Sequence, residues 1–402
     1  MSKKNDDFFA EKKPWSKVKD QLLGCYLKPY MAKILHTGKP VLYIDCFSGK
    51  GKFDDGQPGS PLIALDIIDQ ALGSSKKEEK SSIFPVFIDL NYADDLRKNL
   101  RGHEAEVVSG AYEEKIDDLL KTKQGYNIFL YIDPYGIKAL NCSKFDQFAK
   151  MPFNSVELLI NINSFGFIRE GCRVFKASPG IEDAFFDDLV EYDPTVLEPS
   201  EKSVRILNDI AGGTYWIEII KQLESKQITA YQAEETFSRE YCERLNRSYK
   251  YVLNMPIRIK MGSPTKYRMI YATNHPDGCL LMAENICKRW ELLKELQDCG
   301  QMSLFKEDVN NNIIDEALIE KYVIEHFSRY STSTKLTEAE AQFFVKFGVI
   351  CKTGDINRAL KKLENEGKIE IIRRPPVTKG GKISKFMSEE HGKTVSIRWV
   401  KG

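Results

Sequence analysis

The sequence predicts an α/β protein. It should contain a doubly wound seven-stranded sheet, with a helical insertion ahead of the last strand pair and a smaller basic domain behind it. Three observations carry this expectation. Short apolar runs alternate with helical patterns between residues 41 and 161, the order of βαβ units and a mostly parallel sheet. Two further strand-like runs follow a long helical stretch. Near residues 297–314 the composition shifts to Gln, Asn, Asp and Gly before helical periodicity resumes, which reads as a linker. A chain of 402 residues also exceeds one small core.

Bulk composition narrows the class. With 42% apolar and 29% charged residues, the chain reads as an ordinary soluble protein. No run approaches the ~20 apolar residues of a membrane span. The charged start, Met1-Ser-Lys-Lys-Asn-Asp-Asp7, lacks the apolar core of a signal peptide, so a cytoplasmic location is expected. The nine cysteines are scattered without a C-x-x-C pair, and the five histidines are equally dispersed. Neither a disulfide framework nor a metal site is expected, and the thiols read as reduced.

The elements follow in order. Val18, Leu22, Leu23, Tyr26, Leu27, Tyr30 and Ile34 recur at helical spacing and predict a helix over Trp15–Leu35. Tyr26 and Tyr30, with Phe47 and Phe53, either line a pocket or fill the core. Strands are expected at Val41–Cys46, Ile83–Ile88, Glu106–Val108, Asn127–Ile132 and Val156–Asn161. Gly59-Ser60-Pro61 signals a helix start, with a capping hydroxyl before a proline. A helical insertion over about 169–249 precedes strands at Tyr251–Ile259 and Lys266–Thr273, the pair that would place one antiparallel strand near the sheet edge. On this reading residues 1–300 form the first domain, 301–312 a linker and 313–402 the second domain.

In that second domain, helices over Glu316–Phe327, Glu338–Phe347 and Asp355–Glu366 lead into alternating strands at Lys368–Arg373 and Thr394–Val400, the order of a winged helix. From Ile371 onward eight Lys or Arg stand against two acids, enough local charge to attract a polyanion. Arg358, Lys361 and Lys362 on the third helix, with Arg373, Arg374, Lys379, Lys382 and Lys385 on the hairpin, are the candidate nucleic-acid surface, for DNA or RNA alike.

The chemistry gathers at strand ends. Asp45, Asp89 and Asp133 each close an apolar run, and the first leads into the glycine-bearing loop Asp45-Cys-Phe-Ser-Gly-Lys-Gly51. One strand-end Asp is ordinary turn chemistry. Three, at the ends of the first, second and fourth expected strands, describe a ligand site along the carboxyl edge of an open sheet. The segment Lys52–Pro58 is longer than a dinucleotide fingerprint tolerates, which argues against NAD.

This combination resembles the Rossmann-like class I S-adenosylmethionine-dependent methyltransferases. Asp133-Pro-Tyr-Gly136 is similar to the Asp-Pro-Pro-Tyr motifs of amino-methylating enzymes, and closer to the Asp-Pro-Phe-Gly of tRNA guanine N2-methyltransferases. Taken with Asp54-Asp-Gly-Gln-Pro-Gly-Ser-Pro61 and Met269-Ile-Tyr-Ala-Thr-Asn-His-Pro276, the chain resembles the bacterial three-Cys-motif partner family over nearly its whole length.

The resemblance implies S-adenosylmethionine as cofactor, its methionine end held by Asp45, Phe47, Ser48, Gly49 and Gly51. Asp89 would bind the ribose, and Gly110 and Ala111 the adenine. It also implies a catalytic role for Asp133, Pro134, Tyr135 and Gly136, with Asp133 and the Pro134 carbonyl accepting from a target amine and Tyr135 stacking on a flipped base. Transfer to such an amine depends mainly on positioning. With no Pro-Cys pair in the chain, a C5-cytosine route is not expected. A catalytically silent cofactor binder, or a protein that docks a partner of the three-Cys-motif type, is the alternative. Gln301-Met-Ser-Leu-Phe305 looks like a sliding-clamp docking peptide, or else a linker segment that folds back on the core.

Overall fold

The computed structural model describes residues 6–74, 82–177, 197–258, 265–298, 315–389 and 392–400. The chain forms two compact units, Met1–Asn274 and His275–Gly402.

In the first unit β1 (Val41–Asp45), β2 (Ile83–Asp89), β3 (Glu106–Ser109), β4 (Asn127–Ile132), β5 (Ser155–Ile162), β6 (Tyr251–Arg258) and β7 (Thr265–Thr273) make a seven-stranded sheet in the order β3-β2-β1-β4-β5-β7-β6. β1 pairs in parallel with both β2 and β4. β7 runs antiparallel to β5 and to β6, so one reversed strand stands beside the edge, as expected. This mainly parallel α/β architecture is compatible with a Rossmann-like fold. β1 and β4 are buried at every residue, and their continuous apolar runs follow from cover on both faces.

Helices α1 (Asp6–Phe9), α2 (Pro14–Ile34), α3 (Ser60–Ser74), α4 (Ala93–Asn99), α5 (Tyr112–Leu120) and α6 (Cys142–Lys150) flank and connect these strands. On one face α2 sets the Tyr26 and Tyr30 rings 5.8 and 5.3 Å from Phe129, itself stacked on Tyr43. These two tyrosines are therefore core residues. The Tyr26 and Tyr271 hydroxyls donate to Glu157 Oε2 at 2.6 and 2.8 Å. Burial pushes the Glu157 carboxyl up to about 7, although both phenols pull it the other way. On the opposite face Ile116 of α5 and Phe145 and Phe148 of α6 pack with Leu42, Ile44, Ile128 and Leu130.

The insertion contains α7 (Ser164–Phe175), α8 (Glu201–Ala211), α9 (Tyr215–Glu224) and α10 (Ala230–Leu245). It opens ahead of the expected boundary because the Asn163 side chain accepts the Gly166 N–H at 2.7 Å and caps α7. Arg268 of β7 donates to both oxygens of the buried Glu234 at 2.7 and 2.8 Å, which pins α10 to the sheet.

The second unit holds α11 (Pro276–Asp298), α12 (Glu316–Phe327), β8 (Thr334–Lys335), α13 (Leu336–Phe347), α14 (Thr353–Asn365), β9 (Ile369–Arg374) and β10 (Thr394–Trp399). Its strands form a three-stranded antiparallel sheet in the order β8-β10-β9. The division between units falls ahead of α11 instead of near residue 300. α11 belongs behind it because Cys279, Met282, Ile286 and Cys287 are buried, Cys287 Sγ donates to the Cys351 carbonyl, and the Thr353 N–H donates to Glu284. The two residues of β8 are too few to produce an alternation pattern, and no strand is expected there from sequence. Gln301–Phe305, and the linker expected at 301–312, lie outside the described residues. No helix among the described residues is long and apolar enough to cross a membrane.

Glu157 makes the stability of this sheet depend on pH. Its folded pKa lies above its ordinary 4.5, so its contribution is complete below that value and is lost as pH rises through about 7. Glu157→Gln keeps the shape without the titration. Its thermal midpoint should fall less than the parent's between about pH 5 and about pH 8 by calorimetry; equal falls in both proteins contradict the assignment.

Candidate functional site

β1 and β4 are neighbours, but the chain leaves them in opposite directions across the sheet, toward β2 and β5. Open α/β sheets form a crevice at such a reversal, beyond the carboxyl ends of the strands. A cleft of about 860 Å³ lies there, lined by the loops that follow β1, β2, β3 and β4. That volume falls in the range of roughly 300–1,000 Å³ usual for cofactor sites.

Asp45, at the end of β1, is fully buried and does not line the cleft. Its Oδ2 accepts the Ser60 hydroxyl at 2.7 Å and its Oδ1 the Phe47 N–H at 3.2 Å, while Ser48 Oγ donates to its carbonyl. Asp45 thus differs from the expected ligand contact: it lies beneath the loop and shapes it. The Ser60 hydroxyl, expected as a helix cap, is the other half of this tie. Burial pushes the Asp45 carboxyl up to about 7.

Above it, Phe47, Ser48, Gly49 and Gly51 line the cleft. Gly49 and Gly51 have φ of 57° and 75°. A Cβ on Gly49 would lie 2.8 Å from the Phe9 ring, and one on Gly51 2.7 Å from Leu96 Cδ1. Glycine is required at both positions.

The β2 end holds the loops together. Asp89 Oδ1 accepts the N–H groups of Asn91 and Tyr92 at 2.8 and 2.6 Å, and Oδ2 accepts the Gly49 N–H at 2.8 Å. Oδ2 keeps a second acceptor position, and the side chain lines the cleft. After β3, the Gly110 N–H donates to the Asp89 carbonyl at 3.1 Å, and Gly110 and Ala111 complete that wall.

After β4 come Asp133, Pro134, Tyr135 and Gly136, all on the cleft. Asp133 Oδ1 accepts Lys19 Nζ at 3.0 Å and Asn161 Nδ2 at 2.7 Å. Its Oδ2 accepts Lys19 Nζ at 2.8 Å and the Tyr131 hydroxyl at 3.2 Å. Two carboxylate oxygens offer about four acceptor positions. All are taken, so in this arrangement Asp133 has none for a target amine. The Tyr135 ring meets Phe8 edge-on at 6.1 Å, and Phe8 and Phe9 pack on Phe53. Phe47 and Phe53 therefore face the cleft while Tyr26 and Tyr30 do not.

Ser16, Lys19 and Asp20 of α2, Asn161 of β5 and Tyr267 of β7 also line the cleft, and none of them is among the residues the sequence singles out. A usable signal existed at two places: polar residues at i, i+3 and i+4 break the apolar pattern at the start of α2, and Asn161 interrupts an apolar strand. Lys19 Nζ sits 4.9 Å from the Tyr267 ring centre. Burial pushes Asp20 up to about 6 against the pull of Lys12, whose ammonium lies 2.5 Å away. Ser16 and Asn161 are 5% and 3% exposed, yet Ser16 Oγ and Asn161 Oδ1 have no hydrogen-bond partner among the described residues.

The basic candidates of the second unit divide. Arg373 donates to both oxygens of Glu364 at 2.6 and 2.9 Å with its side chain 9% exposed. It joins β9 to α14 and is not a surface contact. Arg358 pairs with Asp355 and Lys362 with Glu320, both at the surface. Lys361, Arg374, Lys379, Lys382 and Lys385 are exposed, the last four on or beyond the end of β9. Val377 and Ile383, bridged to each other in the same connection, are 49% and 77% exposed. Among the described residues, no group of three His, Cys, Asp or Glu could hold a metal ion.

Compared with known proteins, the chain matches no family model and no curated sequence.

The Lys19–Asp133 pair should behave as a coupled unit, because removing one partner strands the other's charge. Lys19→Met should cost about 3 kcal/mol in denaturant unfolding, and adding Asp133→Asn should recover part of the loss. Additive losses in the double variant contradict the coupling.

Proposed function

We propose that the first unit is an S-adenosylmethionine-dependent methyltransferase domain that acts on an exocyclic amine of a nucleic-acid base. The observation that carries the reading is the convergence of four loops, three of them tied together through Asp89, on one cleft at the strand-order reversal. The donor set suits an adenosyl ligand. Asp89 Oδ2 has an acceptor position for a ribose hydroxyl. Gly110, at φ 139°, brings backbone close to the cleft where an adenine would lie. Glycine at 49 and 51 lets the loop pack against Phe9 and Leu96, so that it lines with its backbone the part of the cleft where the amino-acid end would lie.

Bound there, S-adenosylmethionine supplies an electrophilic methyl group. The protein's own part is placement. Phe8, Phe53 and Tyr135 give an aromatic wall on which a base can stack.

We read the second unit as a winged helix for nucleic acid, DNA or RNA. Its β9–β10 connection carries Lys379, Lys382 and Lys385 beside the exposed Val377 and Ile383, a combination suited to a phosphate backbone and base edges.

A second reading, a cofactor binder without transfer activity, is favoured by the filled carboxylate of Asp133. Two measurements separate the possibilities. Calorimetry with S-adenosylmethionine should show one site per chain, weakened about tenfold by Asp89→Asn through loss of a charged acceptor. Incubation with methyl-labelled cofactor should then move label into bacterial RNA or DNA. No binding heat defeats both readings, whereas binding without transfer to either nucleic acid defeats the first alone.

A further inference from the structure

The cleft contains more polar machinery than the Asp133–Gly136 motif accounts for. Ser16 and Lys19 stand one turn apart on the same face of α2, and Lys19 grips the carboxylate to which Asn161 Nδ2 also donates. Ser16, Lys19 and Asn161 all line the same cleft. Two atoms of this lining break the rule that buried polar groups find partners: Asn161 Oδ1, a pure acceptor, and Ser16 Oγ, donor and acceptor. Both side chains are more than nine-tenths buried and both line the cleft. Leaving such atoms unpaired destabilises the empty protein, and unpaired polar atoms in a cleft are what an arriving polar edge satisfies.

We propose that Asn161 and Ser16 form the recognition subsite for the target group, with Asn161 Oδ1 in place of Asp133 as the acceptor for a substrate N–H. This inference rests on the reading of the cleft as a base-modifying site and deepens it. Asp133 is saturated by Lys19, Asn161 and Tyr131, so its role is to orient the Asn161 amide: with Nδ2 committed to Asp133, Oδ1 is left for the ligand. Ser16 Oγ answers a neighbouring donor or acceptor on the same edge. An acceptor beside a hydroxyl fits a planar heterocycle with an N–H next to a ring nitrogen or carbonyl. The reading on which this inference rests narrows that class to bases with an exocyclic amine, cytosine, adenine and guanine, and excludes uracil.

The test measures nucleoside binding, which does not require methyl transfer. Cytidine, adenosine, guanosine and uridine are titrated against the full chain saturated with S-adenosylhomocysteine, and ligand contact is followed by saturation-transfer NMR. At least one amine-bearing nucleoside should bind more tightly than uridine. Asn161→Leu should remove that preference. Ser16→Ala should weaken the preferred nucleoside by about fivefold, the value of one neutral hydrogen bond, while leaving the thermal midpoint of the empty protein unchanged or higher.

That opposition keeps the proposal falsifiable even where Asn161→Leu fails to fold. A purely structural serine would lower the midpoint on truncation and leave nucleoside binding alone, and that result overturns the proposal. So does an absence of preference for amine-bearing nucleosides, or a preference that survives Asn161→Leu. Nucleoside discrimination through Asn161 without label transfer would uphold the subsite and refute the methyltransferase reading. Label transfer that is indifferent to both substitutions would do the reverse.

Discussion

Backbone N–H groups at the carboxyl edge of the sheet set the main constraint on this site. When the chain leaves a parallel strand and turns sharply, successive amides lose their ladder partners and must be satisfied elsewhere. Asp89 does this for three of them, at Gly49, Asn91 and Tyr92, and so ties the loop after β1 to the loop after β2. Asp45 does the same from below through Phe47 and joins that loop to α3 through Ser60. Acids at strand ends therefore work first on the fold. A ligand then meets a cleft whose walls are already fixed, which limits the ordering cost of binding.

Burial gives the site an unusual electrostatic setting. Asp20 and Asp45 are carboxyls pushed up to about 6 and about 7, chiefly by loss of solvent, in the neighbourhood of Asp133. Lys12 and Lys19, both nearly buried, supply the opposing charge. Negative charge accumulated at one cleft is thus balanced by two lysines from a single helix and the segment before it.

Much of the architecture was legible in the residues. The strands announce themselves because parallel strands covered on both faces must be apolar throughout, and the expected runs lie within a few residues of the observed ones. The position of the cleft was equally readable from Asp45, Asp89 and the glycines between them. The direction of each side chain was not. Asp45 occupies a strand residue whose side chain turns under the loop, which depends on where α3 places Ser60. The saturation of Asp133 depends on Lys19, 114 positions away, and on Asn161, 28 positions away; local pattern carries no information at such separations. Arg373 reads as a surface cation in any window of sequence, and only the packing of β9 beside α14 delivers it to Glu364.

The most direct test of this account is a crystal structure of the chain grown with S-adenosylhomocysteine. On the proposed function the ribose should lie at Asp89, the adenine against Gly110 and Ala111, the amino-acid end over Gly49–Gly51, and the sulfur toward Asn161 and the Lys19–Asp133 pair. A cleft that stays empty at saturating ligand, or a ligand lodged elsewhere on the first unit, would contradict it.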